Sequence, residues 1–178
     1  MSLYGARIEY GLHCILYLID QSQDTAPSSR DIATFQDISP SYTAKLFTQM
    51  EKAGLVSSTE GISGGYRLAR PAQDITVLDV VDALEPDNSL FQCRDVRHNC
   101  ALFDETPPTW ATHGTCAIHA TMLRAEKHMR QQLENTTLAD IAGAASQKIP
   151  ESFYASAHDW FEDRKKYRKS KPRTGDKQ

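Results

Sequence analysis

The sequence has no apolar run approaching the roughly 20 residues that a membrane-spanning helix needs. It also has no basic stretch followed by an apolar core and a small-residue cleavage site, which a signal peptide would have. Neither a glycine-rich dinucleotide fingerprint nor a second cofactor motif is present. We therefore expect a cytoplasmic protein that has no membrane partner, takes no small-molecule substrate and is not an enzyme.

Cysteine is scarce, with four residues among 178, yet three of the four fall within residues 93–116. The same stretch contains two histidines, two prolines and a glycine, so it can be neither helix nor strand throughout. In a reducing compartment, clustered cysteines indicate metal or redox chemistry more than structural disulfides. An iron–sulfur cluster, a zinc site and a metal-free thiol switch of Cys93 and Cys100 are all open, although the tight Cys-x-x-Cys pairs typical of structural zinc are absent.

Acidic residues dominate most of the chain, whereas its end is basic. Residues 1–149 contain 12 lysines and arginines against 18 acidic residues, a net charge of −6. Residues 150–178 contain 8 basic and 5 acidic residues, a net charge of +3. The run RKKYRKSKPR over 164–173 is interpreted as a solvated, partly disordered tail. An arm that attracts phosphate groups is the alternative.

Helical periodicity prevails and predicts a mainly α protein. A first helix covers 3–20, and Cys14 is expected to be a small buried apolar residue on it. Ser28 or Ser29 can cap a short second helix, and Ser39 with the proline after it begins a third. The remaining predicted elements are the second helix at 30–37, the third at 40–53, two strands at 55–59 and 65–69, a fourth helix at 77–84, a long helix at 116–133 and a short one within 136–145.

The long helix carries an apolar seam at helical spacing, and such a seam needs a covering surface. It could pack within the monomer or against a second subunit, and the part of the chain before it already forms a complete globular unit. The seam consists of Ile118, Met122, Ala125, Met129 and Leu133.

The second and third helices and the hairpin follow one another in the order of a helix-turn-helix with a wing. The outer face of the third helix presents four small or basic residues at spacing i, i+3, i+4 and i+7, namely Ser41, Ala44, Lys45 and Thr48. Small hydroxyls and one cation suit close entry into a major groove, where they reach base edges or phosphates. An ordinary surface helix has the same composition, but the hairpin favours recognition of duplex DNA.

Residues 39–85 resemble the signature region of the IscR, NsrR and CymR family of bacterial winged-helix regulators. The motifs are S-x-S-Y at the start of the third helix, K-x-G-L-V after it, G-x-x-G-G-Y in the wing and I-T-V-x-D-V-V at the fourth helix. The match extends from residue 5 to about residue 142. It implies a homodimeric transcriptional repressor in which the long helices cross and two wings meet one palindromic operator.

The resemblance also implies how the chain is divided. Residues 1–85 would form a winged helix-turn-helix DNA-binding domain, with the first helix also in the dimer interface, and 86–115 a cofactor-binding loop. Residues 116–147 would form the dimerisation helix and a short final helix, and 148–178 a basic tail. The implied DNA contacts are Ser39, Ser41, Tyr42, Lys45 and Thr48 in the third helix, and Ser63, Gly64, Gly65, Tyr66 and Arg67 in the wing.

One wing position departs from many members of this family, which carry a basic residue before the wing glycine. This sequence has Glu60 there. Because a carboxylate repels phosphate, we expect Arg67 or Arg70 to contact the DNA backbone instead. The acidic body further predicts weak non-specific binding that falls steeply with salt.

The cysteine spacing also differs from that of the iron–sulfur relatives, whose three cysteines are closely spaced. Here six residues separate Cys93 from Cys100, and fifteen separate Cys100 from Cys116. Glu9 and His13 are four residues apart and project from one face of the first helix.

Together, the GLHC sequence around His13 and the wide cysteine separation resemble the RsrR branch of the family. That resemblance implies a [2Fe–2S] cluster with unlike ligands on its two irons, as in Rieske centres. The implied ligands are Cys93 and Cys116 of one subunit with Glu9 and His13 of the other, and Cys100 is a substitute ligand or a free thiol.

A regulator of this kind would sense redox state, nitric oxide or iron supply. A cluster is preferred to a thiol switch, and a thiol switch to zinc. A polar stripe at the dimer interface is the alternative role for Glu9 and His13.

Overall fold

The computed structural model describes residues 3–19, 26–59, 61, 64–86, 89–103 and 106–170. The fold is mainly α with one small hairpin, as the sequence predicts, and Glu60 and Ser63 lie outside the described residues. Within those residues, no helix combines the length and apolarity that crossing a membrane requires. The elements are α1 Ala6–Leu16, α2 Ser29–Phe35, α3 Pro40–Lys52, β1 Val56–Ser58, β2 Tyr66–Leu68, α4 Val77–Leu84, α5 Thr109–Thr112, α6 Ala117–Glu134, α7 Leu138–Ser146 and α8 Glu151–Ser170, with 3₁₀ turns at Ala72–Asp74 and Val96–Asn99.

A helix-turn-helix is formed by α2 and α3, and a capping box fixes the start of α2. The Asp31 N–H donates to the Ser28 hydroxyl (3.1 Å), and the Ser28 N–H donates to the Asp31 carboxylate (3.3 Å). Two backbone donors that the helix leaves unpaired are thereby satisfied. Ser39 holds the N-cap position of α3, but its side chain makes no capping bond. Its hydroxyl lies 3.1 Å from that of Ser41 instead.

The hydrophobic core lies between α1, α3 and α4. Ile15 of α1, Phe47 and Met50 of α3 and Val80 of α4 are fully buried. Each such side chain stabilises the fold by roughly 1.5–3 kcal/mol relative to an exposed one. Cys14 is fully buried as well, and burial raises the pKa of its thiol to about 12. Cys14 is therefore a packing residue, as the sequence predicts.

The wing is the antiparallel hairpin of β1 and β2. Val56 lies opposite Leu68, and Ser58 lies opposite Tyr66. The ring centroid of Tyr66 is 4.5 Å from that of Phe47. Because Phe47 belongs to α3, this contact fixes the wing against the second helix of the helix-turn-helix.

The long helix α6 packs against α4 and the N-terminal segment, but only along part of its length. Arg130 donates two hydrogen bonds to the Asp82 carboxylate (3.0 and 2.7 Å), and the Tyr4 hydroxyl donates to the Met129 sulfur (3.6 Å). All residues of α6 are described, and none is fully buried. Ile118, the first residue of the seam, is 70% exposed, so the described residues of this chain do not cover the start of the seam.

The basic end of the chain is helical through residue 170, so residues 164–170 are not the partly disordered tail that the sequence suggested, and the rest of that run lies outside the described residues. Phe161 of α8 is buried, with its ring centroid 5.9 Å from Tyr17 and 5.0 Å from Phe35. The run suggested solvation because most of its residues are charged. Packing against α2 and against Tyr17, the residue after α1, supplies the ordering contacts that composition does not reveal.

Candidate nucleic-acid interface and cysteine loop

The outer face of α3 is the exposed surface of the helix-turn-helix. Ser41, Lys45 and Thr48 are exposed, and Ala44 between them is half-buried. The Thr48 hydroxyl donates to the Ala44 carbonyl (2.9 Å), which leaves its lone pairs available to accept from a base or a bound water. This face presents small polar groups around one cation, and it can approach a major groove closely.

Tyr42 has a different environment from these residues. It is half-buried, and its ring packs edge-on against Tyr10 with centroids 5.8 Å apart. Its ring therefore supports the α1–α3 contact. Ser39, by comparison, is exposed at the start of α3 beside Ser41.

The described wing residues lie mostly in packing positions. Gly65 is buried, while Gly64, Tyr66 and Arg67 are half-buried. Arg70, the other expected backbone contact, forms a partly exposed ion pair with Asp79 (3.4 Å). Any phosphate contact by Arg70 would compete with that pair.

Gly65 packs directly against the segment that precedes α2. A Cβ atom there would lie 2.1 Å from the Ala26 carbonyl oxygen and 2.6 Å from that of Pro27. The Tyr66 N–H donates to the same Pro27 oxygen (2.9 Å), so this close approach holds the wing base against the helix-turn-helix.

We expect Gly65→Ala to lower the free energy of unfolding by about 1–3 kcal/mol, because the new methyl group displaces backbone atoms. Urea unfolding followed by circular dichroism measures the change. Gly143→Ala is the matched control, since a Cβ there meets no atom within 4 Å and the helix should gain about 0.5–1 kcal/mol. A Gly65→Ala protein as stable as wild type would contradict the close packing.

Arg97 joins the two ends of the cysteine loop. Its guanidinium donates to the Asp95 carboxylate (3.0 Å) and to the carbonyl oxygens of His113 (3.5 Å) and Gly114 (2.5 Å). Cys93 lies two residues before Asp95 and accepts a hydrogen bond from its N–H (3.4 Å). The Arg97 bridge therefore ties the segment of Cys93 to the residues that lead into α6.

Cys116 occupies the N-cap position of α6. Its sulfur accepts a hydrogen bond from the His119 N–H (3.3 Å), and its side chain is half-buried. The N-terminus of an 18-residue helix favours negative charge, so a metal-bound thiolate suits this position. Cys93 and Cys100 are exposed free thiols.

Glu9 and His13 lie one turn apart on the exposed side of α1. Within the part of the chain that the structure describes, no three histidine, cysteine or acidic side chains form a group that could hold a metal ion. A single chain thus does not bring the predicted ligands together. Their division between two subunits stays a prediction.

Sequence reasoning missed Arg97 and the buried Asp31. Arg97 sits among charged loop residues without any periodic pattern, so no sequence signal marks it. Asp31 forms ion pairs with Arg164 and Arg168. These two arginines are four residues apart in the basic run, and that spacing is the one sequence signal that could have indicated a shared partner.

A helix-turn-helix with an exposed polar face on its second helix and a hairpin packed beside it defines a winged helix-turn-helix DNA-binding protein. Residues 4–144 match the Rrf2 family, described as an iron-dependent transcriptional regulator. The chain belongs to the Rrf2 family. It is therefore a DNA-binding transcriptional regulator and not an enzyme, as the sequence predicts.

Relatives of known sequence and structure agree with this assignment. The Rrf2 protein of Nitratidesulfovibrio vulgaris is 36% identical over 140 residues, which cover 79% of this chain and 87% of the relative. An HTH-type transcriptional regulator of Mycobacterium tuberculosis is 32% identical over 156 residues, covering 88% and 89%.

Solved structures of the family have the same fold. CymR of B. subtilis, described as the global cysteine regulator, superposes with a TM-score of 0.61 and 25% identity over 81% of this chain and 98% of its own. IscR of T. potens superposes with a TM-score of 0.60 and 25% identity over 85% and 95%.

Proposed function

We propose that this regulator is a cytoplasmic homodimer that represses transcription from a palindromic operator and senses redox state, nitric oxide or iron supply. The sensing group is a [2Fe–2S] cluster, and Cys100 is a substitute ligand or a free thiol. The ligands are Cys93 and Cys116 of one subunit with Glu9 and His13 of the partner subunit.

The position of Cys116 carries this proposal. Cys116 is the N-cap of α6, the helix proposed to cross that of the dimer partner. The Arg97 bridge connects the segment of Cys93 to Gly114, two residues before Cys116. A change in what Cys116 binds therefore acts directly on the first turn of α6. The family description as iron-dependent supports a metal at such a position.

The homodimer rests on the apolar seam of α6. Ile118, the first residue of the seam, is 70% exposed, and Ala125 of the seam is exposed as well. A second copy that crosses the first along α6 covers this seam. The same crossing brings the α1 face of one subunit towards the cysteine loop of the other.

The donor set fits a two-iron cluster chemically. Cys93 and Cys116 are accessible thiols, and Glu9 with His13 supplies an exposed carboxylate and imidazole one turn apart. When bound, the cluster supplies a reversible one-electron change at these ligands. The ring nitrogen of His13 that does not bind metal can hold or release a proton as that charge changes.

Contacts within the chain connect the loop to the DNA-binding face. Cys116 caps α6, α6 is held to α4 by the Asp82–Arg130 pair, and α4 packs on α3. Palindromic half-sites are read one DNA turn apart, so a shift of about an ångström between the two α3 helices changes binding.

The test is an anaerobic mobility shift on genomic promoter fragments, with oxidised, reduced and cluster-free protein. We expect the affinity to differ between the states. Lys45→Ala should weaken binding in every state, because it removes the cation of the recognition face without touching the loop. Equal affinities in all three states would remove the sensing role and leave a constitutive DNA-binding protein.

A thiol switch without metal is the second candidate, and the exposure of both Cys93 and Cys100 favours it. This candidate predicts colourless protein in which peroxide forms a disulfide between these two residues, visible by mass spectrometry and abolished by Cys100→Ala. Metal analysis of the same colourless protein tests the zinc alternative.

A further inference from the structure

The helix α8 lies beyond residues 4–144, the part of the chain that matches the family. Aromatic packing fixes it to the helix-turn-helix. The ring centroids of Trp160 and Phe161 are each 5.0 Å from that of Phe35 in α2, and Phe161 is buried. This part of α8 therefore holds a defined position beside α2.

Ion pairs fix the following turns of α8 at the start of α2. The Arg164 Nε lies 3.2 Å from one oxygen of Asp31, and Arg168 pairs with the other. The Asp31 side chain is only 3% exposed and also belongs to the capping box with Ser28. Two arginines one helical turn apart thus hold the basic half of α8 against the first turn of α2.

This junction also adjoins the wing. The segment Ala26–Pro27, directly before the α2 cap, accepts the hydrogen bond from the Tyr66 N–H and contacts Gly65. In helix-turn-helix proteins the first helix of the motif crosses the DNA backbone while the second enters the major groove. The basic half of α8 therefore lies beside a helix that is expected to cross the DNA backbone.

Positive charge is concentrated at this place. Five of the six residues over 164–169 are basic, whereas residues 1–149 carry a net charge of −6. Two of the five, Arg164 and Arg168, form ion pairs with Asp31, and Lys166 forms an exposed ion pair with Asp163. Lys165 and Lys169 directly follow the two arginines, so they lie on the same turns of α8.

We propose that the C-terminal half of α8 is a second DNA-binding element, in which Lys165 and Lys169 bind phosphates of the duplex backbone outside the segment read by α3. This rests on the DNA-binding function of the family and adds a contact surface outside residues 4–144, which match the family. The arginines fix the position of α8, and the lysines bind the phosphates. Such contacts carry no sequence information but set the orientation and the salt dependence of the complex.

The proposal can be tested without knowledge of the operator, because backbone contacts are independent of sequence. The probe is a labelled alternating poly(dA-dT) duplex, titrated with the full-length protein at several salt concentrations. The variant is Lys165→Gln with Lys169→Gln, which removes charge but keeps most of each aliphatic stem. Four phosphate contacts are then lost per dimer, so the slope of log K against log[salt] should become shallower by about 3 to 4 units.

The matched control is Lys127→Gln with Lys148→Gln, which changes the net charge equally on exposed lysines outside α2, α3 and α8. It should change the slope by less than about 1 unit. Equal slope changes in the two double variants would overturn the proposal, because the effect would then come from net charge alone. Unfolding curves of both variants exclude a loss of folded protein.

Lys45→Ala separates this proposal from the DNA-binding function itself. If Lys45→Ala weakens binding to the duplex and the α8 double variant does not, only the role of α8 is overturned. A wild-type protein that does not bind this non-specific duplex at low salt would overturn the α8 proposal alone, because recognition by α3 is tested separately on promoter fragments.

Discussion

Asp31→Asn should lower the free energy of unfolding by about 3 kcal/mol, because it leaves two arginines facing an uncharged, buried amide. The Asp31 side chain is 3% exposed, while those of Arg164 and Arg168 are 34% and 21% exposed. Since the arginines can partly regain water, we expect the lower end of the cost of breaking a buried ion pair. The asparagine oxygen can still accept a hydrogen bond from the Ser28 N–H. Most of the lost free energy of unfolding therefore comes from the ion pairs.

The chain offers a matched control for this substitution. Asp82→Asn removes the same charge from a carboxylate that also binds an arginine, but the side chains of Asp82 and Arg130 are 44% and 38% exposed. Pairs with this exposure contribute less than about 1 kcal/mol. Urea unfolding of both variants at one protein concentration compares them, and equal losses would show that the burial of Asp31 has no energetic consequence.

Loss of the proposed cluster is expected when any of its four ligands is replaced by alanine. Cys93→Ala, Cys116→Ala, Glu9→Ala and His13→Ala should each abolish or alter the visible absorption and the Mössbauer spectrum of anaerobically purified protein. Cys100→Ala should retain both signals, because Cys100 is not one of the four proposed ligands. An unchanged spectrum of His13→Ala would exclude the mixed ligand set.

Mixing two inactive variants tests the division of ligands between subunits. A heterodimer of Cys116→Ala and His13→Ala chains keeps one intact site if thiolates and imidazole come from different chains. Random mixing makes about half of the dimers heterodimers, so about a quarter of the wild-type absorption should return. If each chain holds its own cluster, both sites in the heterodimer are defective and no colour returns.

Local sequence signals located the hairpin and most of the helices closely, but not α5 or α8. The capping residues Ser28 and Thr76 mark the starts of α2 and α4, and the glycines of the wing mark its turn. Caps and turn residues act on the backbone next to them, so their effect can be inferred without knowledge of distant contacts. The exposed face of α3 follows from the same local logic, because helix periodicity alone sets which side chains share a face.

The sequence by itself thus determined the class of fold, the recognition helix and the position of the cysteine loop. Tertiary structure decided the packing of Gly65 against Ala26, the Arg97 bridge and the pairing of Asp31 with α8. Each of these contacts joins residues far apart in the chain or depends on burial. Burial determines how much a charge, or the absence of a Cβ atom, contributes to the free energy of unfolding. For that reason the basic tail could not be identified from composition as a helix held by a buried carboxylate.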